Sequence, residues 1–262
     1  MAKIFVMRTV TVITMVVFAM AACSGGDKGV DVLDVFCGAG LMKPMEEIRM
    51  EFGSRYGVDV VVHYGGSGEL LGQLALEQTC DVFIPGAKKY IGDAAGNGWI
   101  ADGTVRDIAR HIPVIAVASG NPKEINTLDD MTKPGVTVAL GDPDACAIGR
   151  LAREIFEKNA LVERIRRNIK VRAPTVNQLL LYVALGQADA AIIWEDMALW
   201  AQGAGELTIV PIPDERNVIR TVSTAVTTRS RNRGLAERFN EFVVSDEARS
   251  IWTRWGFDPC VD

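Results

Sequence analysis

The stretch of sequence that decides the predicted fold is Tyr64-Gly65-Gly66-Ser67-Gly68-Glu69-Leu70-Leu71-Gly72-Gln73-Leu74. It follows an apolar run over 58–63 that indicates a strand, and its leucines have the spacing of one helix face. The glycines let the backbone come close to a bound group, and the first turn of a helix offers N–H groups without an internal partner. Ser67 adds a hydroxyl donor where an anion would lie. The simpler interpretation is a glycine-rich turn with Ser67 as the helix N-cap.

Three further units along the chain have the same layout of strand, small-residue turn and helix. The first has its strand at 32–36, its turn at 37–40 and its helix at 41–56. The second has them at 81–84, 85–87 and 89–97, and the third at 136–140, 141–149 and 150–158. This order predicts parallel sheets with helices on both faces, joined by right-handed crossovers. Ligands of such sheets bind at the carboxyl ends of the strands, where the small-residue turns lie.

The second half of the chain predicts a second unit of this class, with its other strands at 112–118, 168–172, 188–194 and 207–210. Thr175 is expected to cap the helix after the second of these, with Gln178 completing a capping box. An extended segment at 220–227 and helices at 235–244 and 246–255 are expected to return to the first unit. The sequence therefore predicts an α/β fold of two lobes, 31–111 with 223–262 and 112–222, whose mainly parallel sheets are joined by a two-segment hinge.

The first residues have the pattern of a bacterial lipoprotein signal. Lys3 and Arg8 precede an apolar run over 10–20, and Met20-Ala21-Ala22-Cys23 is a small-residue cleavage site that ends in cysteine. Cleavage would remove residues 1–22 and leave a lipid on Cys23, at the extracytoplasmic face of the cell membrane. The alternative is a transmembrane anchor, for which the apolar run is short.

The charge of the chain argues against nucleic acid as a partner. The whole sequence carries 28 basic and 33 acidic residues, a net charge of −5. Removing residues 1–22 takes away two basic residues and no acidic one, so the remaining chain carries 26 minus 33, or −7. An acidic chain of this kind is a poor ligand for phosphate backbones.

Four cysteines follow Cys23, and in an oxidising compartment they suggest disulfides with three possible connectivities. Cys37 and Cys146 follow strands and are expected at the cleft, as small and weakly polar lining. Cys80 precedes a strand and lies at the far end of the first lobe, to which Cys260 is expected to return. We therefore predict a Cys80–Cys260 disulfide. Neither a CxxC pair nor a Cys/His ligand spacing for a structural zinc occurs.

These motifs, taken together, resemble the solute-binding component of ABC-type importers, and most closely its molybdate-binding branch. The resemblance covers about 33–257, and its motifs are the segments 35–41, 65–68 with Gln73, 81–84, 141–143 with Gly149, and 191–194. It implies a type II periplasmic-binding fold that is not an enzyme and uses no cofactor. It also implies a monomer that holds molybdate or tungstate and delivers it to an importer permease and its ATPase.

The resemblance implies that hydroxyl and backbone N–H groups, rather than cations, hold the anion. Carried over by motif, Ser67 supplies a hydroxyl, Ala147 or Ile148 a backbone N–H, and Val176 a backbone N–H at its helix N-terminus. Two positions depart from the family pattern. Gly40 stands where the family has a serine, and Trp194 stands where it has a tyrosine, whose hydroxyl an indole N–H replaces as a donor.

Several alternatives remain open from the sequence. The departures at Gly40 and Trp194 leave sulfate or another oxyanion as ligands, and either residue has a simpler interpretation, Gly40 as a tight turn and Trp194 as core. Glu195 and Asp196 are expected to be an acidic pair at a helix N-terminus, although Glu195 or Asp144 could enter the cleft. Cys37 and Cys146 with a histidine could bind a soft metal ion. Cys37 with His63 or His111 as base could instead be an enzyme nucleophile.

Overall fold

The computed structural model describes residues 31–76, 79–203 and 205–260. The predicted signal sequence and Cys23 lie outside these ranges. Within them, no helix combines the length and the apolar character that a membrane crossing requires. The described strands, in chain order, are β1 Asp31–Gly38, β2 Val58–Gly65, β3 Val82–Ile84, β4 Arg106–His111, β5 Pro113–Ala118, β6 Val138–Gly141, β7 Ile169–Ala173, β8 Ala190–Trp194, β9 Leu207–Pro211, β10 Arg220–Val226 and β11 Asp258–Pro259.

Helices follow most of these strands, as the alternating pattern predicts. In chain order they are α1 Met42–Tyr56, α2 Ser67–Ala75, α3 Lys88–Gly96, α4 Ala147–Lys158, α5 Val162–Arg166, α6 Val176–Ala184, α7 Glu195–Gly203, α8 Arg233–Val243 and α9 Asp246–Arg254. Short 3-10 turns cover Ala39–Leu41 and Asp130–Thr132. The left-handed Gly57 (φ 66°) ends α1, because a residue without Cβ takes this conformation at little cost.

Two sheets organise the molecule. The first has the strand order β11-β4-β10-β3-β1-β2, and the second has the order β7-β6-β8-β5-β9. The chain passes from the first to the second between His111 and Pro113, and it returns between Pro211 and Arg220. The α/β class predicted from the sequence is confirmed.

Both sheets are mixed, which corrects the expectation of mainly parallel sheets. In the first sheet β1 is parallel to β2 and β3, whereas the pairs β10–β3, β10–β4 and β11–β4 are antiparallel. In the second sheet β6 pairs parallel with β7 and β8, whereas β5 pairs antiparallel with β8 and β9. The antiparallel halves contain the strands through which the chain enters and leaves each sheet. Such return strands have no crossover helix, so their direction cannot be deduced from a β-α-β pattern.

The two faces of β1 serve two cores. Val35 and Cys37 point into a cluster with α1, α8 and α9, where Phe52 is within 5.0 Å of Phe239 between ring centroids. Phe36 points the other way, into a cluster that runs through α2 and α3 to the second sheet. Alternation of side chains along a strand produces this division. The cores therefore fix the carboxyl end of β1 from both sides.

Some local predictions need correction. β4, β11 and the short helix α5 were not expected from the sequence, because their residues mix charged and apolar side chains without a clear period. Thr175 is the N-cap of α6, but its side chain makes no capping hydrogen bond, so the capping box with Gln178 is wrong.

The predicted Cys80–Cys260 disulfide is also wrong. The N–H of Cys260 donates to the carbonyl of Ile108 in β4. The next residue of β4, Ala109, pairs with Val222 of β10. Cys80 comes two residues before Val82, the strand residue that pairs with Val226 of β10. Its thiol donates to the carbonyl oxygen of Val82 at 3.1 Å. At least four residues of strand, about 13 Å, therefore separate the two cysteines along the sheet. A disulfide requires Cα atoms within about 7 Å.

Candidate ligand-binding site

A small cavity lies between the two sheets, at the carboxyl ends of several parallel strands. Its volume is ≈ 20 Å³. It is lined by Gly38, Ala39, Gly40, Leu41, Gly65, Gly66, Ser67, Gly86, His111, Cys146, Ala147, Ile148, Thr175, Val176 and Trp194. Pockets for drug-sized ligands measure about 300–1,000 Å³, and one water needs about 10–15 Å³. The cavity is therefore too small for a drug-sized ligand.

All six residues predicted for the site line this one cavity. They are Gly40, in the turn after β1; Ser67, the first residue of α2; Ala147 and Ile148, the first two of α4; Val176, the first of α6; and Trp194, the last of β8. The first two come from the first sheet and the other four from the second. The placement follows from the shared layout, since each turn lies at the carboxyl end of its strand.

Ser67 is held so that its hydroxyl can donate. It is 3% exposed, and its Oγ accepts the backbone N–H of Gly86 at 3.0 Å. Because one lone pair of Oγ is taken, the hydroxyl hydrogen must point elsewhere, and Ser67 lines the cavity. The N-cap of α2 is Gly66, so the simpler interpretation of Ser67 as N-cap is wrong.

Two helices of the second sheet begin at the cavity. Ala147 is the first residue of α4 and Val176 is the first residue of α6. The N–H groups of a first helical turn have no partner within the helix, and the helix dipole adds a partial positive charge there. Thr175 also lines the cavity, and its hydroxyl is not engaged in capping α6. These groups supply further donors without any formal positive charge.

Gly40 and Trp194, the two departures from the family pattern, are neighbours. A Cβ on Gly40 would lie 3.3 Å from Cδ1 of Trp194 and 3.1 Å from Cγ1 of Val176. Both separations are tighter than ordinary van der Waals contact. The indole therefore occupies part of the room that a side chain at position 40 would need, and the two departures compensate for each other in space.

Glycines of the α2 turn also allow the two sheets to approach closely. The N–H of Gly68 in α2 donates to the carbonyl of Ala145, just before α4, at 2.8 Å. A Cβ on Gly68 would lie within 1.9 Å of the carbonyl oxygen of Asp144, and one on Gly66 within 2.4 Å of that of Ala145. These contacts require residues without side chains. The glycine-rich stretch thus forms a backbone contact with the segment before α4 as well as a wall of the cavity.

The structure adds a residue that sequence reasoning did not assign to the site. His111, the last residue of β4, lines the cavity and stacks on Trp194 with 3.6 Å between ring centroids. Its Nε2 lies 3.1 Å from Oδ1 of Asp196, an ion-pair separation rather than a well-aligned hydrogen bond. Burial raises the pKa of the Asp196 carboxyl, while His111 opposes that effect. A sequence signal existed, since Asp196 lies two residues after the end of an apolar strand and His111 lies at the crossing between sheets.

The cavity wall is poor in charge. Among its described lining residues there is no lysine, arginine, aspartate or glutamate. Asp144 and Glu195, which the sequence left as candidates to enter the cleft, do not line it. Glu195 and Asp196 do lie in the first turn of α7, as expected. Cys146 does line the cavity, and burial raises the pKa of its thiol to about 11, so it is neutral at physiological pH.

Cys37 does not reach the cavity, which corrects its expected role as cleft lining. Its side chain is fully buried in the core formed with α1, α8 and α9, and burial raises the pKa of its thiol. A neutral, buried thiol cannot act as the proposed nucleophile. Cys37 and Cys146 also do not share a site, and within the described ranges no three His, Cys, Asp or Glu side chains are grouped to hold a metal ion. The arrangement that a soft metal site requires is therefore not formed.

Two sheets joined by two crossings, with a small cavity between them, define a solute-binding protein of the type II periplasmic fold. The chain belongs to the bacterial extracellular solute-binding protein family, whose family model matches residues 33–258. The molybdate-binding protein ModA of Mycobacterium bovis is 30% identical over 261 residues, covering 96% of this chain and 97% of that protein.

Two solved structures show the same fold. The periplasmic molybdate-binding protein of Azotobacter vinelandii superposes with a TM-score of 0.74 at 18% identity, covering 86% of this chain and 98% of that one. The sulfate-binding protein SubI of Mycobacterium tuberculosis superposes with a TM-score of 0.76 at 21% identity, covering 87% of each chain. The resemblance stated from the sequence is thereby confirmed at the level of family and fold.

Proposed function

We propose that this protein captures a tetrahedral oxyanion, molybdate or tungstate, in the cavity between its two sheets. The observation that carries the proposal is the composition of the cavity wall. It combines the Ser67 hydroxyl, the indole of Trp194 and the helix N-termini at Ala147 and Val176, with no carboxylate among its described lining residues. Such a wall offers hydrogen-bond donors to a compact anion. The molybdate-binding relative supports the same class of ligand.

Capture requires the cavity to open. We propose that residues 31–111 with 223–262 form one lobe and residues 112–222 the other, and that they move about the two crossings between the sheets. The contact between Gly68 and Ala145 would then form on closure. The loaded monomer would deliver its anion to an importer permease and its ATPase.

We also propose that the chain is tethered by a lipid on Cys23 after removal of residues 1–22. The support is the signal pattern that ends in Ala22-Cys23. Mass spectrometry of the N-terminal peptide from membranes tests it. Diacylglyceryl cysteine at position 23 is expected, and an unprocessed N-terminus would contradict the tether. A Cys23→Ala variant should not carry the lipid.

Calorimetric titration with molybdate, tungstate, sulfate and phosphate tests the ligand. Phosphate is expected to bind more weakly than molybdate by at least about tenfold, because near neutral pH it keeps a proton that needs an acceptor. Leaving one polar group unpaired costs about 1–3 kcal/mol. Phosphate that binds as tightly as molybdate would contradict a donor wall, and heat from none of the four anions would contradict oxyanion capture.

Sulfate is the second candidate. It has the same charge and shape as molybdate, and a sulfate-binding protein shares the fold. The indole at position 194 and the absence of a side chain at position 40 change the wall where the family pattern has hydroxyl groups. A titration in which sulfate binds more tightly than molybdate would identify sulfate as the preferred ligand.

A further inference from the structure

A groove between α4, α5 and the edge strand β7 lies apart from the ligand cavity. Its volume is ≈ 300 Å³, at the lower end of the range for small-molecule sites. Its floor is apolar, because Leu140, Phe156 and Ile165 lie there and are at most 4% exposed. The half-buried side chains of Val162 and Ile169 extend this apolar surface. None of the residues that line the groove lines the cavity.

Three arginines from three different elements converge on the groove. Arg153 comes from α4, Arg166 from α5 and Arg172 from β7, and all three are exposed. Basic side chains on an edge strand also discourage pairing with another strand. That role concerns β7 alone and does not require the arginines of two helices to line the same groove. The convergence therefore indicates a site for a negatively charged group.

The charges of these arginines are incompletely neutralised. Nε of Arg153 lies 3.8 Å from Oε1 of Glu157, and Nη2 of Arg166 lies 3.4 Å from Oε1 of Glu163. Exposed ion pairs of this kind contribute little free energy, so another anion can replace the carboxylate at low cost. Arg172 has no carboxylate within ion-pair distance among the described residues. Glu157 is the one acidic residue in the described lining, so the groove carries 3 minus 1, a net charge of +2.

The segment around the groove concentrates positive charge in an acidic chain. Residues 158–172 contain six basic side chains, all exposed, and one acidic one, a net charge of +5. The whole chain carries −5, so the rest of it carries −5 minus 5, or −10. Net charge alone predicts repulsion from an anionic surface, whereas this segment predicts attraction to one. The six basic residues are Lys158, Arg164, Arg166, Arg167, Lys170 and Arg172.

We propose that the groove binds the headgroup of an anionic phospholipid at a membrane surface. The arginines bind the phosphate, because a guanidinium offers paired donors that match phosphate oxygens. The apolar floor covers the glycerol and the first methylene groups, which a free inorganic anion does not have. This function goes beyond oxyanion capture, since the groove and the cavity share no residue.

The lipid proposed on Cys23 favours a membrane lipid over a free anion as the occupant. Seven residues separate Cys23 from Asp31, the first residue of β1, and they span about 25 Å at full extension. A chain tethered in this way stays close to a lipid surface. The basic groove then adds an electrostatic contact to the covalent one.

Vesicle sedimentation tests the proposal on the processed chain, residues 23–262, with Cys23→Ala so that no lipid is attached. This chain contains every described residue and carries a net charge of −7. It should sediment with vesicles that contain phosphatidylglycerol and remain in solution with vesicles of phosphatidylcholine alone. Added sodium chloride should release it, because salt screens exposed charges. Equal binding to the two kinds of vesicle, or binding to neither, would overturn the inference.

Substitutions in the groove test whether it is the binding site. A basic side chain near an anionic membrane contributes about fivefold to the partition coefficient, so Arg172→Gln should lower it by about that factor. A triple variant with Arg153→Gln and Arg166→Gln as well should lower it by about a hundredfold. Val162→Gln leaves every charge in place and should lower it about threefold, because apolar contact with the lipid is lost.

The matched control is Arg233→Gln on α8, which makes the same change in net charge. Arg233 is also exposed and pairs with Glu237 at 2.6 Å, but it lies outside the groove. This variant should partition as the parent chain does, and all the variants should unfold at the temperature of the parent. An equal loss from Arg233→Gln and Arg172→Gln would show that net charge alone matters and would contradict a site.

Inorganic phosphate separates the headgroup from a free anion. Sodium phosphate and sodium chloride at the same ionic strength should release the chain from the vesicles equally, because a free anion cannot use the apolar floor. Stronger release by phosphate would identify a site for a free anion and overturn the lipid as occupant. Titration of the cavity with molybdate is a separate measurement, so failure of the proposed function would leave this result unchanged.

Discussion

The two walls of the cavity differ in the groups that form them. The wall of the first sheet is mostly backbone, and Gly66 and Gly68 beside Ser67 are packed so closely that a Cβ on either would meet backbone carbonyl groups of residues 144–145 or 174. The wall of the second sheet is bulky, with Trp194 stacked on the ring of His111, which reaches it from β4. The difference indicates that the first wall provides the closing contact and that the aromatic pair shapes the space left for the ligand.

Gly68→Ala should have the largest effect on binding. Its Cβ would lie within 1.9 Å of the backbone carbonyl of Asp144, which cannot move aside as a flexible side chain would. Overpacking costs about 1–3 kcal/mol and occasionally more, so we expect an affinity loss of about a hundredfold. Calorimetry with the preferred anion measures it.

The matched control for this change is Gly72→Ala on the same helix. Nothing lies within 4 Å of a Cβ at Gly72, and alanine is the better helix former. That variant should keep wild-type affinity and melt at the same or a higher temperature. Equal affinity of the Gly68→Ala and wild-type proteins would show that the glycine contact has no part in closure.

Ser67→Ala should have the next largest effect. The change removes a hydroxyl whose oxygen already accepts the N–H of Gly86, and with it the donor that this arrangement directs to the ligand. A hydrogen bond to a charged group is worth about 1.5–3 kcal/mol, or about ten- to a hundredfold in affinity. Ser54→Ala, at an exposed position of α1, is the matched control. If the Ser67→Ala protein keeps its affinity, Ser67 accepts the N–H of Gly86 and does not bind the ligand.

The first wall could be predicted from the sequence more fully than the second. Strand, glycine turn and helix signals are local, so they place Gly40 and Ser67 at the carboxyl ends of strands without knowledge of the tertiary structure. Ala147, Ile148, Val176 and Trp194, on the second wall, were reached through a family resemblance. The fold class followed from the alternation of elements, whereas the direction of return strands such as β10 did not, because it depends on long-range pairing.

Two features of the cysteines and histidines could not be read from spacing. Cys37 was expected in the turn after a strand over 32–36, but β1 runs on to Gly38, so alternation turns the thiol into the core instead of the cleft. His111 and Asp196 are 85 positions apart (196 − 111) and meet because the crossing between the sheets packs against the start of α7. A pair of this kind is visible only once both sheets are in place.

The smallest effect concerns the compensation between positions 40 and 194. A serine at position 40 would place its Cβ 3.3 Å from the indole and 3.1 Å from Val176, which requires a shift of a few tenths of an ångström. Gly40→Ser alone should therefore weaken binding slightly. Trp194→Tyr shortens the aromatic side chain and brings a hydroxyl, so the double variant should bind better than the sum of the two single changes predicts.

A double-mutant cycle measures this coupling. Residues in contact typically show interaction energies of about 0.5–3 kcal/mol, and we expect a value near the lower end because the added atoms are few. The cycle is run with both molybdate and sulfate, since the same two positions distinguish this wall from the family pattern. If the two changes are additive for both anions, position 40 is a tight turn and the indole shapes the cavity independently of it. If they couple for one anion alone, the pair at 40 and 194 sets ligand preference on the second wall while the first wall closes on either ligand.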